Sequence, residues 1–178
     1  MASTSSNKMP LLVDRPLHSF AIIGGTAALS TATNFNTPAS AGCTVLVDCS
    51  ANDGAVIDSL SIISTEASTS AKLVLAFLST ATTPSAITAS NTACVASGAI
   101  GTTSAGERVN ISLPALTIPV PNLASPAATV AAYPSETDKK NTGLYVPSSA
   151  LLYVGVSEAL TAPAATTRVH VFAQGGFF

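Results

Sequence analysis

The side chains able to do chemistry are few and scattered. The chain has three cysteines, Cys43, Cys49 and Cys94. An odd number cannot pair fully within one chain, and no two have the Cys-x-x-Cys spacing of zinc or redox sites. Cys43 and Cys49 share a parity. In an unbroken strand they lie on one face, about 20 Å apart and too far to bridge directly. They read as small buried hydrophobes. The two histidines, His18 and His170, have no clustered partners for zinc or iron. His170 shares its parity with Arg168 and Phe172, opposite Val169 and Val171, which makes it a polar-face residue of a strand. Gly155-Val156-Ser157-Glu158-Ala159 looks like a relaxed nucleophile elbow, but no helix follows and Pro163 lies just downstream. It reads as a strand end and turn.

Carboxylates are equally sparse. Asp48, Asp53 and Asp58 surround the run Ser50-Ala51-Asn52-Asp53-Gly54, which lacks the regular acidic spacing of a calcium loop. Asn-Asp-Gly predicts a hairpin turn, and Asp58 is expected inside a strand, bonded to a turn amide or an arginine. Glycoside hydrolysis needs two facing carboxylates, and the nine acidic residues offer no such pair. Gly24-Gly25 and Gly175-Gly176 lack the following Lys-Ser/Thr and the helix of a phosphate loop. No catalytic, metal or cofactor site is therefore expected, and the chain is not read as an enzyme.

Composition narrows the remaining classes. The 178 residues suit one domain, with or without an arm. Only 9% are charged, against about 25% in ordinary domains, and Ala, Ser and Thr fill the gap with roughly two in every five residues. A net charge of −2, with Lys and Arg dispersed, argues against a basic nucleic-acid binder. With 5% aromatics and no Trp, a stacking platform is not expected. No run approaches the roughly 18 apolar residues of a spanning helix, so no membrane partner is expected. Residues 20–29 followed by Ala39-Ser40-Ala41 mimic a secretion signal, but Asp14, Pro10, Pro16 and Gly24-Gly25 oppose it. Folding in a cytoplasm is the expectation.

These residues must be positioned by strands. Short Val/Ile/Leu-rich runs bounded by turn residues predict strands over 20–23, 44–48, 55–64, 72–79, 108–113, 150–157 and 167–173, with weaker candidates at 92–96 and 116–120. No dozen residues carry a 3.6-residue stripe, and Pro121, Pro126 and Pro134 confine the Ala-rich run 124–132. Many short strands in one domain predict an all-β antiparallel sandwich or barrel. Runs 73–78 and 151–156 are apolar at both parities, whereas a strand with one wet face alternates. Either they lie between two layers or another subunit covers them. The low surface charge favours a subunit.

Residues 1–19 read as an extended N-terminal arm, polar at first and broken by two prolines, with Leu11, Leu12, Val13 and Leu17 available for docking. Residues 20–178 then form the sandwich domain. Residues 117–147 read as one long Pro-rich loop whose tip carries Glu136, Asp138 and Lys139. The Ser/Thr tracts 64–70, 79–90 and 98–106 read as turns and surface loops. The terminal Phe177 and Phe178 are expected to dock on the domain or a neighbour, since each buried Phe contributes about 1.5–3 kcal/mol.

Val56-Ile57-Asp58-Ser59-Leu60-Ser61-Ile62, Leu73-Val74-Leu75-Ala76-Phe77-Leu78, Val146-Pro147-Ser148-Ser149-Ala150-Leu151-Leu152-Tyr153-Val154 and the closing Gly175-Gly176-Phe177-Phe178 stand in a telling order. This order resembles a family of small single-domain structural proteins of tailed bacteriophages, with patterns I-D-x-I-x-I, V-x-L-F-L, L-P-S-G-x-L-x-V and a terminal G-G-D-F/Y. The resemblance runs from about Cys43 to Phe178. Ala150 stands where the family has Gly, and Phe177 where it has Asp, so any contact of that Asp is not carried over. The resemblance implies a jelly-roll-like β-sandwich and a place in the virion.

The leading expectation is therefore a capsid decoration or cement protein on the outer shell. Its partners would be the major capsid protein and copies of itself, as a homotrimer, with Leu11, Leu12, Val13, Leu17, Phe177 and Phe178 at the interface. An arm of 19 residues reaches about 60 Å when extended. The alternative is a tail, fibre or knob module that recognises a host glycan. Its site would be the loop bearing Tyr133, Glu136, Asp138 and Lys139.

Overall fold

The computed structural model describes residues 15–24, 43–65, 72–100, 104–111, 113, 143–156 and 168–178. Nine strands account for most of them: β1 (Arg15–Gly24), β2 (Cys43–Asp48), β3 (Gly54–Ser64), β4 (Lys72–Ser79), β5 (Thr92–Ile100), β6 (Arg108–Ile111), β7 (Leu144–Pro147), β8 (Leu151–Val156) and β9 (Arg168–Phe177). A single 3-10 turn, Pro84–Ala86, lies between β4 and β5. The larger sheet has the order β1-β9-β3, with β6 and β7 sharing the far side of β3. The smaller sheet has the order β2-β8-β4-β5. Every pairing is antiparallel, and the two sheets pack face to face as a β-sandwich.

The pairings are nested. β4 pairs β5, β3 pairs β6 and β7, β2 pairs β8, and β1 pairs β9. One long hairpin, reversed at residues 80–91, is thus wound into two layers. Two further pairings close the sheets, β9 on β3 and β8 on β4.

Strand burial follows the period of two that places neighbouring residues on opposite faces. In β1, Leu17, Ala21 and Ile23 are buried, while Pro16, His18, Phe20 and Ile22 are exposed. Between the sheets, Ile23, Ile57, Leu60, Ile62 and Val171 meet Val74, Leu152, Val154 and Val156. The smaller sheet is apolar on its other face too. There Leu75, Phe77, Leu151 and Tyr153 form a second buried cluster with Cys43, Ala81 and Ile87. Ala81 and Ile87 belong to the reversal between β4 and β5, which folds back over the sheet. The cover at this cluster is therefore supplied by the chain itself, where the charge-poor composition pointed to another subunit.

Hydrogen bonds hold that reversal down. The Tyr153 hydroxyl, fully buried, donates to the Ala81 carbonyl at 2.8 Å. The Ala81 amide donates to Ser79 Oγ at 3.0 Å, and Ser79 Oγ lies 2.7 Å from Thr92 Oγ1. Asn91 closes the far end: its side chain accepts from the Thr88 amide at 2.8 Å and donates to the Ala86 carbonyl at 3.0 Å.

Two irregularities change what parity implies. A bulge in β2 between Val45 and Val47 turns Leu46 and Val47 both toward the main core. Cys43 consequently faces the second cluster and Cys49 the first, so the two do not share a face. A bulge in β3 leaves Asp58 as the extra residue between Ile57 and Ser59. Asp58 lies inside β3 as expected, with its side chain exposed. Beside it β3 and β9 approach so closely that a Cβ on Gly175 would lie 1.9 Å from the Val56 carbonyl oxygen, so only glycine fits.

Several boundaries differ from the sequence reading. β1 starts at Arg15, so residues 15–19 belong to the sandwich, and Leu17 is a core residue only 3% exposed. β5 runs to Ile100 and absorbs part of the expected loop 98–106. Residues 144–147, expected at the end of the long loop, form β7 on β3; four residues between Gly143 and a terminal Pro147 carry too little alternation to be seen alone. The run Ser50–Gly54 is not a hairpin, because β2 and β3 lie in different sheets. It is a crossover, fastened by the Ser50 amide on Asp48 Oδ1 at 2.8 Å and by Gly54 at φ +130°. The candidate strand 116–120 lies outside the described residues.

Two substitutions test this packing. Tyr153→Phe is expected to cost about 1 kcal/mol, the worth of one buried hydrogen bond. Amide exchange should then quicken at 80–91 and stay unchanged in β9. Gly175→Ala is expected to lose about 1–3 kcal/mol by overpacking, read as a lower denaturation midpoint.

Candidate functional site

The outer face of the larger sheet is the most exposed apolar surface among the described residues. Its register arranges side chains in rows across the strands. The middle row is Phe20, Phe172, Ser61 and Asn110, from β1, β9, β3 and β6. The row above is Ile22, His170, Ile63 and Arg108. The row below is His18, Gln174 and Ser59. Phe20 is 62% exposed and Ile22 48%. The Phe20 and Phe172 rings are tilted at 39° with centroids 6.4 Å apart, and His170 meets Phe172 edge-on at 6.3 Å.

Charge on this face is uneven. All three described arginines, Arg15, Arg108 and Arg168, lie in strands of the larger sheet. Asp58 and Ser59 both fall between the inward-facing Ile57 and Leu60, which puts the bulge carboxylate on the outer side of β3. The result is an aromatic and aliphatic centre with a cation on the upper row and a carboxylate on the lower.

Ser61 stands out at the centre of the middle row. It is 1% exposed and its Oγ makes no hydrogen bond. A buried hydroxyl without a partner costs about 1–3 kcal/mol.

The first and last described residues dock inside the domain. The Arg15 guanidinium lies 5.4 Å from the centre of the Phe177 ring and bonds Asn52 Oδ1 in the β2–β3 crossover. Phe177 packs against the main core. The Phe178 amide donates to the Gly54 carbonyl at 3.1 Å, and its ring lies 6.1 Å from that of Tyr145. Of the residues expected at a partner interface, Leu17 is in the core and both terminal phenylalanines have partners within the chain. Leu11, Leu12 and Val13 lie outside the described residues. So do Tyr133, Glu136, Asp138 and Lys139 of the expected glycan loop, and Ser157 of the relaxed elbow.

Two other features offer little chemistry. A shallow hollow of about 320 Å³ opens where Ser79, Asn91 and Thr92 meet Pro147 and Ala150. The polar side chains of those first three are already committed to one another and to backbone. The cysteines are all free thiols. Burial pushes Cys43 from its usual 9.0 up to about 12. Burial, with the Asp48 charge adding to it, pushes Cys49 up to about 11. These thiols stay protonated and unreactive at neutral pH. Among the described residues no three of His, Cys, Asp and Glu gather as metal ligands.

The exposed face was missed in the sequence, although a signal was present. Phe20-Ala21-Ile22-Ile23 is apolar at both parities, the same mark seen in β4 and β8. In β1 the second face is open rather than covered. No protein-family model, curated protein or solved structure matches the chain.

Replacing Ser61 by Ala removes the unsatisfied hydroxyl at almost no change in volume. The expected result is a gain of up to about 1 kcal/mol in unfolding free energy, read as a higher denaturation midpoint. The thiols give a second test. The unfolded chain loses their protons near 9.0 while the folded chain holds them to about 11 and 12. The folded state therefore binds more protons in that window, and stability falls as pH rises through it. A denaturant midpoint followed from neutral to alkaline pH should decline, and replacing Cys43 by Ala should flatten the decline.

Proposed function

We propose that the chain is a virion structural protein of a tailed bacteriophage, a capsid decoration or cement protein. In this reading it binds the outer shell in many copies and strengthens the junctions between capsomers. The observation that carries the proposal is the nested pairing of one long hairpin into two four-position sheets. We read that succession as jelly-roll-like, an architecture used by viral capsid proteins and by lectins. Fold alone does not assign a role. Support for the structural role over catalysis comes from the sparse chemistry, because the described histidines, thiols and carboxylates do not converge on one place. The sequence patterns of β3, β4, β8 and β9 add the resemblance to phage structural proteins.

A binding role also suits the division of labour within the sandwich. The smaller sheet buries Leu75, Phe77, Leu151 and Tyr153 on its outer face beneath the 80–91 reversal, which serves stability. The larger sheet keeps one face open, and an apolar patch on an otherwise solvated domain marks a surface for contact.

Quantitative mass spectrometry of purified particles tests this reading. A copy number equal to the major shell protein, or a simple fraction of it, is the expected result. A few copies per particle would move the protein to a tail or receptor-binding role, and the glycan loop at 133–139 would become the target. Absence from particles would refute a virion role.

A further inference from the structure

The open face of the larger sheet is self-complementary. We propose that it packs against the same face of a second copy of this chain, about a two-fold axis running along the Phe20–Phe172–Ser61–Asn110 row. This inference does not rest on the virion reading.

Exposure gives the first ground. Phe20 and Ile22 remain 62% and 48% exposed on a strand whose other face buries Leu17, Ala21 and Ile23. Together with Phe172 and Ile63 they form a continuous apolar centre across three strands. Leaving such a centre in water forgoes burial worth roughly 25 cal/mol per Å². The apolar outer cluster of the smaller sheet is already covered by Ala81 and Ile87, and its one exposed large hydrophobic among the described residues, Leu73 at 39%, is less exposed than Phe20 or Ile22.

Charge selects the occupant and its orientation. Two sheets stacked face to face keep their strands within about 30° and lie about 10 Å apart. A two-fold axis in that plane can run along the strands or across them. An axis along the strands sets Ile22 against Arg108 and Phe20 against Asn110, which buries a cation on an aliphatic side chain. An axis across the strands, along the middle row, sets phenylalanine on phenylalanine. It also lays the upper row of one copy over the lower row of the other. His170 then meets Gln174. Arg108 approaches the side of β3 that carries Asp58, offset sideways by one strand spacing of about 4.8 Å, which its long side chain can span across the gap between the sheets. The two-fold repeats each contact, giving two Arg108–Asp58 pairs at the rim of an apolar centre. Isologous contacts of this kind are the commonest in soluble oligomers.

Sedimentation velocity on the full chain, from micromolar to near-millimolar concentration, tests the proposal. The expected wild-type result is a concentration-dependent association that begins with a dimer. Phe20→Asp changes a side chain that is mostly in solvent, so the fold should survive with an unchanged circular dichroism spectrum. It should weaken association by about a hundredfold or more. Asp58→Arg and Arg108→Glu should each weaken it by about tenfold, and the double variant should recover to within about threefold of wild type. A monomeric wild type throughout the range would overturn the proposal. So would an oligomer unaffected by Phe20→Asp, which would place the contact on another surface. Failure of the double variant to recover would overturn the assigned axis and its charge pairing.

Discussion

The pairing of β1 with β9 is the closure on which the sandwich depends. It joins residue 15 to residue 177 in register, near the two ends of the chain. β9 is also the partner of β3, so it supplies ladder bonds to both neighbours. Remove it and β1 has no partner in its sheet, while the β3 carbonyls and amides on that side lose theirs. Buried backbone groups without partners are costly, so the last strand of the chain acts as the central member of the sheet. The terminal Phe177 and Phe178 extend that role. One packs on the core beneath Arg15, and the other caps the β2–β3 crossover beside Tyr145.

Such a nested fold has a kinetic consequence. Its innermost pair, β4 with β5, is local, but each outer pair closes a longer loop. Loop-closure entropy rises slowly with length, and non-local strand pairing is slow to form. The reversal at 80–91 is therefore well placed to be firm. Tyr153, Ser79 and Thr92 tie it to the smaller sheet with buried or partly buried hydrogen bonds, one of them from Ser79 to the Asn91 carbonyl. Its aliphatic residues close the second apolar cluster. The same segment anchors the turn about which the hairpin winds and shields one face of the sheet it connects.

Two sheets of similar composition thus end in different circumstances. The smaller one is dry inside and covered outside over β8 and much of β4, where β8 is buried at every position, while Leu73 and the β5 residues Cys94 and Ser97 stay exposed. The larger one is dry inside and open outside, with Phe20, Ile22 and Phe172 beside Arg108, His18 and His170. That asymmetry separates a surface devoted to holding the fold from one free to meet another molecule.

The sequence by itself determined the class and most of the elements. Val/Ile/Leu runs between turn residues located eight of the nine strands, because β-branched and aliphatic side chains favour a pleated, half-buried surface. The absence of a 3.6-residue stripe excluded a helical domain, and double-sided apolarity marked β4 and β8 as covered on both faces. Tertiary structure alone decided what did the covering. Parity fails at a bulge, so only the β2 and β3 bulges show that Cys43 and Cys49 part company and that Asp58 faces outward. A four-residue strand such as β7 carries too few alternations to stand out, and its existence depends on the free edge of β3. Which apolar faces are paired with a layer, and which are left open, depends on contacts between residues far apart in the chain. Local pattern records that a face is apolar; only the packed sheets decide what it meets.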